Sequence, residues 1–289
     1  MPSPVYILGS NGFIGSYLLR HLQSRMLACE VRGLGIHDID LSLDSAGEQL
    51  IALLPKSARL VILSGVKRQV GDSFGSFEKN IQIATALARF IEKSQPEKVI
   101  FFSSAAVYGE ETHNLGITEK SPVDPITCYG ISKFTSERIL SIAAKNAGTS
   151  IVLLRPPVIY GPNDPSDSYG PVSFCRNAKK GNTITLWGDG SELREFVYVG
   201  DCCRLVELLL ANEFEGVLNL ASGKSYSFRE VLDTVAQISG MNLNVIEKSR
   251  SKEKVDNRFD PSLMDAINPN FQWTNLQSGI KQTWEDMSL

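Results

Sequence analysis

The sequence predicts an α/β protein, a doubly wound parallel sheet followed by a smaller C-terminal α/β lobe. Three observations carry that prediction. A short apolar run, Val5-Tyr-Ile-Leu8, breaks into Gly9, Gly12 and Gly15 at three-residue spacing and then into the apolar spacing of a helix. Strand-like and helix-like segments alternate through the N-terminal half, the pattern of parallel strands joined by crossover helices. The 289 residues, 43% of them hydrophobic, suffice for one large domain or two small ones.

Taken in order, strands are expected over 4–8, 29–34, 60–64, 98–103 and 151–154, and helices over 12–24, 44–54, 76–93 and 128–146, each helix ended by Gly, Pro or a polar cluster. Gly161-Pro-Asn-Asp-Pro165 then opens a loop, beyond which short helices (172–180, 200–211, 227–239, 275–287) alternate with short strands (184–187, 217–220, 243–246). The expected division is therefore a dinucleotide-binding domain over 1–160, to which some later strands return, and a substrate-binding lobe mainly over 161–289. The cleft between them is the expected active site, because ligands of doubly wound folds sit at the carboxyl ends of the strands.

Composition narrows the function classes. A net charge of −3 without a Lys or Arg run gives no electrostatic footprint for nucleic acid. No apolar run approaches the 18 residues of a membrane span, and the first residues lack a basic n-region, so the protein is expected in the cytoplasm. The five cysteines are scattered without Cys-x-x-Cys spacing, which predicts neither a metal site nor a disulfide framework. Cys202 and Cys203 fall in an apolar helix and read as core, while His21 and His113 have no assignable partners.

The chemistry lies in three places. Glycine in a turn after a strand lets backbone N–H groups approach a pyrophosphate, which the positive end of the following helix then holds. The strand Lys98-Val-Ile-Phe-Phe ends in two hydroxyls, Ser103 and Ser104, followed by Ala-Ala-Val-Tyr-Gly109. Tyr129 and Lys133, four residues apart at a helix start, share one helix face. A neighbouring ammonium favours the phenolate and draws the phenol down from about 10, so the pair can move a proton to or from an alcohol oxygen while a nicotinamide moves the hydride. Ser104 is placed to hydrogen-bond the same oxygen.

Taken together, Gly9-x-x-Gly12-x-x-Gly15, Ser103-Ser104-Ala-Ala-Val-Tyr-Gly109, Tyr129-x-x-x-Lys133, Arg155-Pro-Pro-Val-Ile-Tyr-Gly-Pro162 and the run from Trp187 through Arg194 to Asp201 resemble the extended short-chain dehydrogenase/reductase superfamily. The likeness is to its nucleotide-sugar epimerase/dehydratase/reductase branch and covers essentially the whole chain. It implies a Rossmann sheet, an NADP or NAD cofactor, a nucleoside-diphosphate sugar as substrate and a homodimer formed through the two long helices, whose Ala84, Ala86, Ala88, Ala143 and Ala144 permit close approach beside Ile142. The implied catalytic residues are Ser104, Tyr129 and Lys133. The implied cofactor contacts are Gly9, Asn11, Gly12, Phe13, Ile14, Gly15, Arg32, His37, Asp40, Leu41, Ser64, Gly65, Lys67, Asn80, Ser103, Tyr129, Lys133, Pro156 and Val158. Asn80 supports the helix facing the cofactor, Lys133 also holds the nicotinamide ribose, and Ser104, Trp187, Arg194 and Arg258 are the implied substrate contacts.

Departures from the family pattern refine the reading. Ala105 and Ala106 stand where dehydratases carry an acidic residue, which disfavours elimination. Ala106 also replaces the cysteine of GDP-fucose synthase, and no histidine stands near Tyr169-Gly170-Pro171, which disfavours double inversion. The compressed stretch Gly35–Asp44 is similar to that of GDP-fucose synthase and the 4-keto sugar reductases, so hydride transfer by a 4-ketoreductase is the leading expectation. An NAD-dependent C4 epimerase is its alternative, and a non-catalytic dinucleotide-binding regulatory module is the alternative from another class. No carboxylate stands at the end of the second strand, and Arg32 or His37 can meet a 2′-phosphate, so NADP is preferred over NAD; Asp38 reaching the ribose is the competing arrangement. Val158 replaces a substrate-binding Asn.

Overall fold

Topology in this chain is set by where the path reverses beside its first strand. The computed structural model describes residues 2–68, 71–109, 114–165, 169–250 and 253–288; His113 lies outside them. The order begins β1 (Val5–Leu8), α1 (Phe13–Arg25), β2 (Val31–Leu34), α2 (Ala46–Leu53), β3 (Arg59–Ile62), α3 (Phe74–Ser94), β4 (Lys98–Phe102), a 3₁₀ helix (Ala105–Tyr108), β5 (Asn114–Ile117), α4 (Cys128–Ala147) and β6 (Ser150–Arg155). It continues with β7 (Val158–Tyr160), α5 (Pro171–Lys179), β8 (Ile184–Trp187), β9 (Leu193–Tyr198), α6 (Val199–Ala211), β10 (Gly216–Asn219) and β11 (Ser225–Ser227). The last elements are α7 (Phe228–Ser239), β12 (Val245–Lys248), β13 (Asn257–Phe259), α8 (Ser262–Ile267) and α9 (Leu276–Asp286).

Six strands form the large sheet in the order β10-β6-β4-β3-β1-β2, and every pairing from β2 to β6 is parallel. β1, β3 and β4 are buried along their whole length, as expected of parallel strands covered on both faces. The compressed stretch after β2 supplies α2 but no strand, so β2 is the sheet edge. With β2 on one side of β1 and β3 on the other, the strand order reverses at β1/β3, and a crevice for a ligand opens at their carboxyl ends.

α3 is capped by Ser73, whose hydroxyl accepts from the Ser76 N–H, and α4 by Thr127, whose hydroxyl accepts from the Gly130 N–H at 3.0 Å. α4 ends at Gly148 in the left-handed conformation. Ala84, Ala86, Ala143 and Ala144, expected at a surface between two chains, are instead buried within this one, where their small side chains let the helices approach their neighbours in the core; Ile142 stays 58% exposed. Cys202 and Cys203 are buried as expected. His21 does have a partner, Glu207, 2.6 Å away. A contact across 186 residues leaves no trace in local sequence.

The chain divides into two compact units, one made of residues 1–109, 122–155 and 203–218 and the other of 110–121, 156–202 and 219–289. In the second, β7, β9 and β11 form a three-stranded sheet, β8 pairs with β12, and β5 pairs with β13. Helices α5, α7 and α9 close a core around Tyr160, Phe174, Phe228 and Ile280. The strands β5, β7, β9, β11 and β13 and helix α8 add to the elements expected from sequence. β10, expected as a short late strand, joins the large sheet.

Two buried cations hold the carboxyl end of α6 beneath that sheet. Arg59, at the start of β3, donates to the carbonyls of Leu210 (3.1 Å) and Ser3 (2.7 Å), and Lys98, at the start of β4, donates to the Asn212 carbonyl at 2.5 Å. A helix carboxyl end carries unpaired carbonyls and partial negative charge, which both cations satisfy. Burial draws the Lys98 ammonium below its usual range. Arg59→Met removes the donor to the buried Leu210 carbonyl and is expected to cost about 1–3 kcal/mol. The check is the urea midpoint, which should fall; an unchanged midpoint contradicts the docking role.

Candidate active site

The glycine turn sits at the strand-order reversal. Gly9 has φ +91°, and a Cβ there would stand 2.9 Å from the Ser64 nitrogen at the end of β3. A Cβ on Gly15 would meet the Gly9 carbonyl oxygen at 2.2 Å, so only glycine lets the first turn of α1 close onto the strand. Gly12 is the N-cap of α1 and provides no side-chain acceptor, and no acidic residue lies in the first turn. The helix N–H groups are thus left for an anion supplied from outside. Asn11 is exposed with its amide over Gly35, Phe13 is buried, and Ile14 is half-buried.

Beside this turn a polar wall is built from three elements. The Asn80 side chain, buried on α3, accepts from the Val66 N–H (2.7 Å), donates to the Val66 carbonyl (3.2 Å) and donates to Ser132 on α4 (3.0 Å). It fixes the loop Ser64-Gly65-Val66-Lys67, in which Gly65 and Lys67 are exposed. Lys133, 7% exposed, lies on the same wall: its ammonium donates to the Phe102 carbonyl at 2.8 Å and stands 4.9 Å from the Phe101 ring centroid. Burial pushes that ammonium down from 10.5 to about 8, partly offset by the charge of Glu137. Ser64, Asn80, Phe101, Lys133 and Ser136 share one small pocket.

Tyr129 is half-buried in the first turn of α4, where Asp72 accepts its backbone N–H at 2.9 Å, and its ring centroid is 5.9 Å from the Lys133 ammonium. The predicted pair is brought together. Ser104 caps the 3₁₀ helix by accepting from the Ala106 N–H at 3.1 Å, which fixes it just past the end of β4. Ser103 is buried and turned the other way, donating to Glu137.

At the edge strand, Arg32 is exposed and ion-paired with Glu30 at 2.5 Å, and His37 is exposed. Asp38 accepts from the Gly35 N–H at 2.7 Å, which leaves a carboxylate at the end of β2. Two hydrogen bonds from Ser42, hydroxyl (2.7 Å) and N–H (3.0 Å), hold the Asp40 carboxyl below the usual carboxylate range, and Leu41 is buried beside it.

In the second unit Trp187 ends β8, 42% exposed, and Arg194 lies on β9. Arg194 is not a free cation: it pairs with Glu192 and donates to the carbonyls of Val255 and, at 2.9 Å, Leu193. Arg258 on β13 is exposed and has no charged partner among the described residues. Pro156 is buried and Val158 half-buried beside Phe196. Arg250, which sequence reasoning missed, clamps the turn after β8 through Asp189 (3.0 Å) and the Trp187 carbonyl (3.4 Å). Glu195, buried next to Arg194, accepts from the Ser222 N–H, and burial pushes its carboxyl up to about 7.

The family description "NAD dependent epimerase/dehydratase family" matches residues 5–226. The chain belongs to that family. As an epimerase/dehydratase it overlays the UDP-glucose 4-epimerase of Thermus thermophilus, solved in complex with NAD, with a TM-score of 0.86, 27% identity and 98% of each chain covered. It is 27% identical to the uncharacterized UDP-glucose epimerase YtcB of Bacillus subtilis over 81% of this chain and 74% of that protein. It is 24% identical to the GDP-L-fucose synthase of Sinorhizobium fredii over 84% of this chain and 82% of that one.

The epimerase/dehydratase turn passes a direct test of fit for a dinucleotide: the cradle at Gly9 and Gly15 is one that a Cβ would fill, and the uncapped start of α1 suits a pyrophosphate. Gly15→Ala is accordingly expected to weaken NAD binding by at least about tenfold, a loss of about 1.4 kcal/mol or more. Isothermal calorimetry checks this, and retained affinity removes the turn from the cofactor site.

Proposed function

We propose that this protein is an NAD-dependent nucleotide-sugar 4-epimerase, with a UDP-hexose as its substrate class. The observation that carries the reading is the buried Lys133 ammonium 5.9 Å from the Tyr129 ring centroid, in a sheet whose glycine turn fits a dinucleotide. The whole-chain likeness to a UDP-glucose 4-epimerase supports epimerisation over the ketoreductase expected from sequence. Ala105 and Ala106 offer no acid for elimination. Engagement of Arg32 by Glu30, with the Asp38 carboxylate at the end of β2, supports NAD, because a 2′-phosphate there would meet negative charge without a free guanidinium.

In this reading the first unit is the cofactor lobe and the second binds the nucleotide sugar, with Arg258 as the uncommitted cation for its diphosphate. Arg194 joins it on giving up Glu192. The bound nicotinamide supplies reversible hydride acceptance at C4. Tyr129 takes the 4-hydroxyl proton and returns it to the same oxygen once the keto sugar has presented its opposite face for reduction, Ser104 hydrogen-bonds that oxygen, and the Lys133 ammonium stabilises the phenolate. Ile142 and the exposed faces of α3 and α4 form the proposed homodimer contact, and the protein is proposed to act in the cytoplasm.

Tyr129→Phe should lower kcat about a thousandfold or more while NAD still binds; a regulatory module would keep its cellular role unchanged. Because the folded-state ammonium of Lys133 is depressed to about 8, its charge is lost as pH rises through that value, and kcat should fall on the alkaline side from there. A 4-ketoreductase is the second reading, favoured by the compressed stretch before Asp44 and the likeness to GDP-L-fucose synthase. Mass spectrometry of the co-purified nucleotide with a turnover assay separates the two. Retained NAD and UDP-glucose converted to UDP-galactose without net cofactor consumption support the epimerase, whereas steady NADPH oxidation against a 4-keto sugar supports the reductase.

A further inference from the structure

Glu137 and Arg155 form an ion pair inside the first unit, 1% and 4% exposed. Arg155 donates through Nε to Oε1 (2.9 Å) and through Nη2 to Oε2 (2.6 Å), and Ser103 donates its hydroxyl to Oε1 as well. Stability alone does not account for such a pair, since replacing a buried ion pair by apolar residues is often neutral or stabilising. Its placement does. Glu137 lies one helical turn beyond Lys133 on the same face of α4. The adjacent residues Phe102 and Ser103, at the end of β4, are therefore pinned to α4 at two points, the Phe102 carbonyl by Lys133 and the Ser103 hydroxyl by Glu137. Ser104 follows immediately. Arg155, at the end of neighbouring β6, stands 4.9 Å over the ring of Tyr108 on the 3₁₀ helix that Ser104 caps.

We propose that the Glu137–Arg155 pair is a positioning device for the proton transfer, holding Ser104 in register with Tyr129 and keeping the buried Lys133 ammonium charged. The inference rests on the reading of Tyr129 and Lys133 given above. The charged and titratable groups that meet Lys133 are Tyr129 and Glu137 on its own helix; behind Glu137 stand its partner Arg155 on β6 and Tyr108, whose ring lies under that guanidinium. α3 and the loop after β3 present neutral Asn80 and Gly65. Among the described residues Glu137 is thus the counter-charge that favours the ammonium, against the burial that disfavours it. Removing the carboxylate leaves two buried cations, and the one able to shed its proton is Lys133.

The test titrates isotope-labelled lysine by NMR, the Lys133 signal being identified by its loss in Lys133→Met, and sets it beside the pH profile of kcat. In Glu137→Gln the Lys133 midpoint is expected to fall by about one pH unit, the alkaline limb of kcat to fall with it, and KM to change less than about threefold. Glu137→Asp, which keeps the charge, should hold both near the unsubstituted values. If Glu137→Gln does not fold around the uncompensated guanidinium, Glu137→Met combined with Arg155→Met removes both charges, and the midpoint should again fall. A Lys133 midpoint that does not move overturns the inference. A midpoint that moves while the kcat limb stays in place removes Lys133 from the proton transfer and overturns the reading beneath it.

Discussion

One buried ammonium organises the first unit. Lys133 is removed from water, and its charge is tolerable only because the Phe102 carbonyl, two aromatic rings and Glu137 surround it. Those contacts fix the start of α4 against the end of β4, the junction at which a phenol and a hydroxyl are presented. Were the lysine to reach solvent, water would screen its charge, and the phenol of Tyr129 would lose most of the field that favours its anion.

The sheet determines what that junction faces. Because the segment after β2 supplies no strand, β1 has β2 on one side and β3 on the other, and the reversal falls at the glycine turn. Ser64 follows β3 there, and the Asn80 side chain secures the next loop while also bonding Ser132 on α4. The strand order, the turn and the helix bearing Tyr129 therefore belong to one connected arrangement. The second unit has its own core and carries Arg194, already paired with Glu192, and Arg258, which has no charged partner among the described residues.

Much of this was legible in the sequence. The run Val5–Leu8 with Gly9, Gly12 and Gly15 specified strand, turn and helix by residue type, and the four-residue spacing of Tyr129 and Lys133 put both side chains on one helix face. Strands such as β7, β11 and β13, three residues each, are too short to show an alternating pattern and are held by partners far along the chain. The same distance hid Asp72 beneath the Tyr129 N–H, because that contact spans 57 residues. Arg32 read as a phosphate contact by type, yet Glu30, two residues away on the same exposed side, takes its charge. Glu137 was invisible as a partner of Ser103 until α4 and β4 were brought side by side.

The central claim is that a cation held in the interior lowers the phenol of Tyr129. Ultraviolet difference titration of the tyrosines tests it most directly. The account predicts one tyrosine ionising clearly below the usual phenol value of about 10, absent in Tyr129→Phe and returned to the ordinary range in Lys133→Met. Tyr129 ionising at or above that value in the unsubstituted protein would contradict it.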